Sequence, residues 1–382
     1  MPFSVGVHKF LPEPNMNFQL NRLVNLGGAP FPEVRAASVR IKNLEQWNSV
    51  FLGLAEAAET QGRLEDASAY FRSAEFFIRR GDPRKRPAFD RSVELFRKAR
   101  QEDFAVGRIS AHEVPYEGKV LYAWRFAGQG KGTVVIHGGF DSTMEEMFPA
   151  VQFLASDSPY DLILFEGPGQ GSVLRRQELP MTPQWEKPTA AVLDHFGLKD
   201  VTLVGVSLGG YLGLRAAAYE PRIRRVVAWD VLYDFFDVLM ASAGKNLSKP
   251  LRALISSGAA GLVNRAVAAR MRMDSFSEWG INHGMHVLGA NTPFEFFKKA
   301  QAYTMKGISH LLTQDVLLLA GTDDHFVPLP LFFRQAQEMT NVRSFTGRIF
   351  TRAEEAENHC QVGNIPLALS VIKNWIEQTA KA

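Results

Sequence analysis

Ser207 stands in the run VTLVGVSLGGYLGLRAAA, where Gly205, Ser207 and Gly209 form G-x-S-x-G between a strand-like apolar stretch and an amphipathic stretch with helical spacing. A serine at so sharp a strand-to-helix turn presents its hydroxyl as a nucleophile, and glycines flank it because side chains two residues away would collide. The helix that follows aims its N-terminus at the serine, which places the Leu208 N–H to stabilise an oxyanion. A serine hydroxyl attacks poorly until a base takes its proton, and the base needs an acid to orient it. The stretch AGTDDHFVP offers Asp323, Asp324 and His325 after the apolar run VLLL, and AENHCQVGN offers His359 after SFTGRIF. His325 adjoins the acids, but neighbours on a short loop leave in different directions and cannot form a relay to Ser207. His359 has the right place, between the last strand and the last helix, and gives the chain order serine, acid, histidine.

An oxyanion hole needs a second N–H donor. The stretch HGGFDSTMEE, from His137 to Glu146, follows the apolar run TVVIH, and its glycines let the backbone approach a substrate closely. Gly139 and Phe140 are the candidate donors, with His137 shaping the loop and Asp141 or Ser142 capping the turn. The loop EGPGQG at 166–171 lacks the register of a dinucleotide-binding turn, and with the SVLRRQELP that follows it fits a loop.

These residues need elements to hold them. Residues 43–101 carry apolar residues at spacings of three and four and predict helices, with Gly62 and the GDP at 81–83 as breaks. One segment faintly resembles a tetratricopeptide unit, but such arrays need several, so a helical appendage is the better reading. From Arg108 the period changes. RISAHEVPY, the turn EG and KVLYAWRFA predict a hairpin, and TVVIH, DLILFEG, VTLVGV, RVVAWD and DVLLLAG predict strands buried on both faces of a mostly parallel α/β sheet. Between Tyr233 and Leu312 no such strand occurs, while Phe235, Phe236, Phe276, Trp279, Phe294, Phe296 and Phe297 punctuate helix-like pieces. A helical cap over the ligand end of the sheet accounts for this. The expected organisation is a helical region over 1–107, an α/β core over 108–232 and 313–382, and a cap over 233–312.

The 382 residues, 46% of them hydrophobic, suffice for such a core and its appendages. Lys and Arg (43) nearly balance Asp and Glu (40), which gives no electrostatic case for nucleic acid or an acidic membrane. The basic run RRGDPRKRP at 79–87 reads as a solvated helix–helix connection. The single Cys360 fits a reducing compartment, no stretch has the pattern of a signal peptide or membrane span, and a cytoplasmic protein is expected. The chemistry asks for no cofactor and no metal. A homodimer stays open.

Taken together, HGGFDSTMEE, EGPGQG, GVSLGGYLGLRAAAYEPRI, GTDDHFVP and ENHCQVGN resemble the α/β-hydrolase superfamily over about residues 108–380. More narrowly they are similar to the branch with an N-terminal helical region that includes bacterial 2,6-dihydroxypseudooxynicotine hydrolase and fungal heptaketide hydrolases. The resemblance implies an α/β-hydrolase fold and a triad of Ser207, Asp324 and His359, with Asp324 chosen because GTDDHFVP fits the superfamily's G-x-x-D-x-x-V-P pattern. It implies cleavage of a carbon–carbon bond next to a ketone in an aromatic or polyketide-like substrate; other relatives are esterases. A departing carbanion needs protonation, and Asp230, Tyr233, Asp234 and Asp237, after the strand that follows the serine's helix, are candidates by position. His137, Asp141, Trp279 and His283 complete the candidate substrate contacts. An acyltransferase with the same triad and a non-catalytic binding protein are the alternatives.

Overall fold

The computed structural model describes residues 3–156 and 158–380. Eight strands form one sheet: β1 (Ile109–Tyr116), β2 (Lys119–Phe126), β3 (Thr133–His137), β4 (Asp161–Glu166), β5 (Val201–Val206), β6 (Ile223–Trp229), β7 (Asp315–Gly321) and β8 (Ser344–Phe350). Their order is β1-β2-β4-β3-β5-β6-β7-β8. The β1–β2 and β2–β4 pairs are antiparallel and the rest are parallel. The hairpin turns at Glu117 and Gly118, both with positive φ, the geometry that matches strand twist. Every residue of β7 is buried, so its continuous apolar run has no solvent face to mark with polar residues.

Two apolar clusters flank the sheet. One gathers the helix Leu208–Tyr219, Trp185 and the cap, and the other gathers the helices Met144–Ala155 and Ile365–Thr379. Between β6 and β7 the chain leaves the sheet for five helices, Phe235–Ser242, Lys245–Ser256, Ala260–Met273, Ser275–Leu288 and Pro293–Ala300. The loop reading of the stretch after EGPGQG is corrected: Gly171–Gln177 is a helix, and the Glu166 carboxylate accepts the Ser172 N–H in its first turn.

The N-terminal helices include the three expected ones, Leu44–Thr60, Leu64–Phe77 and Lys85–Ala99, preceded by Pro14–Asn25 and Phe31–Ser38. Trp47, Phe51, Tyr70 and Phe77 form a third apolar cluster. Full burial of each such side chain contributes about 1.5–3 kcal/mol. The region is tied to the core by charge as well. Glu75, with no exposed surface, pairs with Arg72, Lys85 and Arg175, the last from the core, each at 2.9 Å. The basic run is therefore solvated only in part, since Lys85 turns inward to Glu75 and to the Ile78 carbonyl.

Candidate active site

The carboxyl ends of β5, β6 and β7 lie side by side, which is where open α/β sheets bind ligands. Ser207 follows β5 with φ 63° and ψ −124°, held by its N–H to the Trp229 carbonyl at 2.7 Å. Its glycines are required sterically. A Cβ on Gly205 would stand 1.9 Å from the Gly209 carbonyl oxygen, and one on Gly209 would stand 2.7 Å from the Gly138 oxygen.

Ser207 Oγ lies 2.8 Å from His359 Nε2, and His359 Nδ1 lies 2.6 Å from Asp324 Oδ2. Asp324 is fixed in turn, its Oδ1 accepting the N–H groups of Phe326 and Val327 at 2.8 and 2.9 Å. Nδ1 faces a carboxylate and so carries a proton, which in the neutral ring leaves the lone pair on Nε2, the form that accepts the serine proton. Asp323 points elsewhere, 49% exposed and paired with Arg352 at 3.0 Å. His325 is exposed, its ring against Phe18 and Phe326, and makes no bond to Ser207. Burial opposes charge on His359, yet the Asp324 and Asp230 carboxylates outweigh it and hold the ring well above the ordinary histidine value.

The loop after β3 crosses the start of the serine's helix so closely that a Cβ on Gly139 would stand 2.7 Å from the Leu208 nitrogen. Of the three expected oxyanion donors, Leu208 and Phe140 have N–H groups without a protein acceptor among the described residues. Gly139 does not serve: its N–H is given to Ser142 Oγ at 3.2 Å. Gln170 Nε2 donates to the Gly138 and Gly139 carbonyls at 2.7 and 3.2 Å, Arg72 donates to the Asp141 carbonyl at 2.6 Å, and Arg22 pairs with the Asp141 carboxylate at 3.0 Å. Asp141 thus anchors the loop, with burial opposing and Arg22 and Arg72 favouring its charge.

The remaining candidates divide. His283 reaches this loop from the cap, Nε2 3.3 Å from the Phe140 oxygen and its ring stacked on Trp279 with planes 5° apart. Burial pushes it down to about 3, so it is neutral there. Trp279 itself closes the seam with the N-terminal region, stacking on Phe76 and donating to the Phe76 carbonyl at 2.7 Å. His137 is no substrate contact: it is wholly buried against Phe165 and Trp185, bonds the Gly138 carbonyl through Nδ1, and is driven down to about 4 by burial. Tyr233, Asp234 and Asp237 also fail to reach the serine. Tyr233 donates to Glu338, Asp234 caps its helix by accepting the Asp237 N–H, and Asp237 pairs with Arg252. Asp230 alone of that group enters the site, against His359.

Sequence reasoning missed Phe18, Arg22 and Arg72, all from N-terminal helices. Phe18 packs on Phe326 and over His359, with ring centroids 5.4 and 6.0 Å away. No local pattern marks such residues, whose partners are supplied by distant chain. Asp230, His359 and Cys360 bring three donor atoms within 4.8 Å, as a metal would need. The donor set does not suit one, since burial pushes the thiol up to about 12 and the imidazole Nδ1 holds its proton for carboxylates.

A profile of the alpha/beta hydrolase family matches residues 133–360, which spans the serine, the acid and the histidine. The chain belongs to the alpha/beta hydrolase family. Among curated relatives, the alpha/beta hydrolase psoB of Aspergillus fumigatus is 31% identical over 346 residues, covering 78% of this chain and 76% of its own. The 20-hydroxy-prefusarin hydrolase FUS2 of Gibberella moniliformis is 29% identical over 366 residues, 85% of each chain. Among solved structures, 2,6-dihydroxy-pseudo-oxynicotine hydrolase superposes with a TM-score of 0.66 at 21% identity, covering 93% of this chain and 94% of its own. AbyA5 superposes with a TM-score of 0.71 at 19% identity, covering 96% and 95%. These neighbours share the fold from the N-terminal helices onward, and the curated relatives mark this alpha/beta hydrolase family member as a hydrolase. No helix among the described residues is long and apolar enough to cross a membrane.

Proposed function

We propose that this hydrolase works through an acyl-enzyme on Ser207, with His359 as base and then acid, Asp324 orienting it, and the Leu208 and Phe140 N–H groups holding the oxyanion. The observation that carries this is the hydrogen-bonded chain from Ser207 Oγ to His359 Nε2 and from Nδ1 to Asp324. The substrate bond is a carbon–carbon bond next to a ketone in an aromatic or polyketide-like molecule. Two things support that choice: the hydrolase names of the prefusarin and pseudo-oxynicotine relatives, and the rings of Phe18, Phe140, Phe235 and Phe326 around the serine loop and His359.

A carboxylesterase, or an acyltransferase using an alcohol in place of water, is the second reading. It is favoured by the places of Tyr233, Asp234 and Asp237, which leave His359 to protonate the leaving group alone, a task easy for an alkoxide and harder for a carbanion. A fluorophosphonate should label Ser207 in the native protein and fail on Ser207→Ala. An unlabelled native protein would point to a binding module instead. Turnover of acylphenols and β-diketones in preference to simple nitrophenyl esters supports the carbon–carbon reading; turnover of the esters alone removes it.

A further inference from the structure

The geometry points to Asp230 as a second acid on the catalytic histidine, so that the base is held by two carboxylates and not by one. The inference rests on His359 being the base of Ser207. Asp230 follows β6, between the strands that carry Ser207 and Asp324, and its Oδ2 stands 3.0 Å from the same Nδ1 that Asp324 engages at 2.6 Å. Nδ1 thus faces two carboxylates, its N–H directed at Asp324 and Asp230 standing beside it at ion-pair distance.

Three observations distinguish this from a structural carboxylate. Asp230 is 1% exposed, and its only ion-pair partner among the described residues is His359. Glu75, buried as deeply, has three cations. A buried carboxylate without a cation is costly, and an imidazolium at Nδ1 is the charge that relieves it. Second, the donors on Asp230 are fixed: the Cys360 N–H bonds Oδ2, and Gln361 Nε2 bonds Oδ1 at 3.1 Å while Trp229 Nε1 holds the Gln361 oxygen at 2.8 Å. Third, Asp230, Cys360 and Gln361 all sit at positive φ, 63°, 50° and 47°. Non-glycine residues rarely adopt this region, and here two of them, Cys360 and Gln361, hold the carboxylate of the third against the ring nitrogen.

The titratable groups facing His359 are Asp324 and His325 from the loop after β7, Asp230 from the end of β6, and Cys360 on its own loop, with Arg22 of the helix Pro14–Asn25 beyond Cys360; desolvation keeps His325 and the Cys360 thiol neutral, so the two carboxylates are the anions. The anions dominate. His359 acts as base only when neutral, and each carboxylate favours the imidazolium, so the rate should fall on the acid side at a pH above the ordinary histidine value of 6.5. Removing one charge lowers that limb.

The test uses a fluorophosphonate, because its reaction needs only the relay: Ser207 Oγ bonds to phosphorus, fluoride leaves, and the serine proton passes to His359 Nε2. Rates against pH are compared for native protein, Asp230→Asn, Asp324→Asn and the double variant. The acid limb of Asp230→Asn should move down by about one pH unit or more, and Asp324→Asn should react at least about tenfold faster than the double variant, since Asp230 still holds the ring. An unmoved limb, or a double variant no slower than Asp324→Asn, overturns the inference while leaving Ser207 and His359 standing. No label on the native serine fails the nucleophile reading instead. Should Asp230→Asn not fold, 15N-histidine NMR of Asp324→Asn decides. A His359 value still above 6.5 supports the second acid, and an ordinary or lower one overturns it.

Discussion

At the scale of single residues, the two adjacent aspartates have opposite fates for a geometric reason. Asp324 is inside, its carboxylate bonded to two backbone N–H groups and His359, while Asp323 faces solvent and Arg352. An exposed pair of that kind contributes about 0–1 kcal/mol. Asp324→Asn should therefore slow phosphonylation of Ser207 by about a hundredfold or more, by removing the hydrogen-bonded carboxylate that orients His359, and Asp323→Asn by less than about twofold. Equal losses in stopped-flow labelling would reverse the assignment. That Ser207, His359 and Asp324 would meet was legible because G-x-S-x-G, GTDDHFVP and ENHC carry local steric and positional signals. The contact of Asp230 with His359 was not, because it joins residues that only the adjacency of β6 and β7 brings together. Tyr233, Asp234 and Asp237 were misread for the converse reason: position after a strand says nothing of side-chain direction, and helix capping and ion pairing claimed them.

At the scale of elements, β3 to β7 were readable because strands buried on both faces must be continuously apolar. The helix Pro14–Asn25 was not, because its buried face includes Asn21, Arg22 and Asn25, which break the apolar period and find partners in His8, Asp141 and Val362. Such a helix makes the N-terminal region more than a cover. The loop carrying the Phe140 N–H is held on one side by Gln170 and on the other by Arg72 and Arg22. Arg72→Met removes the donor to the Asp141 carbonyl and leaves Glu75 two of its three cations. Loss of registry of about an ångström at such a donor can cost a hundredfold in rate. Arg72→Met should lower the rate of labelling or turnover at saturation by about tenfold or more, with little change in half-saturation. Weaker saturation at an unchanged limiting rate would mean that Arg72 shapes binding and not the oxyanion loop.

At the scale of the whole molecule, buried ionisable groups set how the fold answers to acid. His137 sits under the loop after β3 between Phe165 and Trp185, neutral because burial drives it from 6.5 down to about 4. An unfolded chain binds a proton there below about 6.5 while the folded protein declines it until about 4. The folded state therefore loses stability as the pH falls through that window, by about 2–3 kcal/mol between pH 7 and pH 4. His359 has the opposite sign: its raised value adds stability that is fully present below 6.5 and is lost as the pH rises through the folded value. Other groups titrate in the same range, His283 and His325 with the sign of His137, so only a variant isolates His137. His137→Asn keeps a donor for the Gly138 carbonyl and removes the titrating ring. Packing lost against Trp185 and Phe165 should make it less stable at pH 7. Its further loss from pH 7 to pH 4, measured by urea unfolding, should be about 2–3 kcal/mol smaller than in the native protein. An unchanged pH difference would show that His137 takes up its proton in the folded state, and with it that the ground beneath the loop after β3 is open to water.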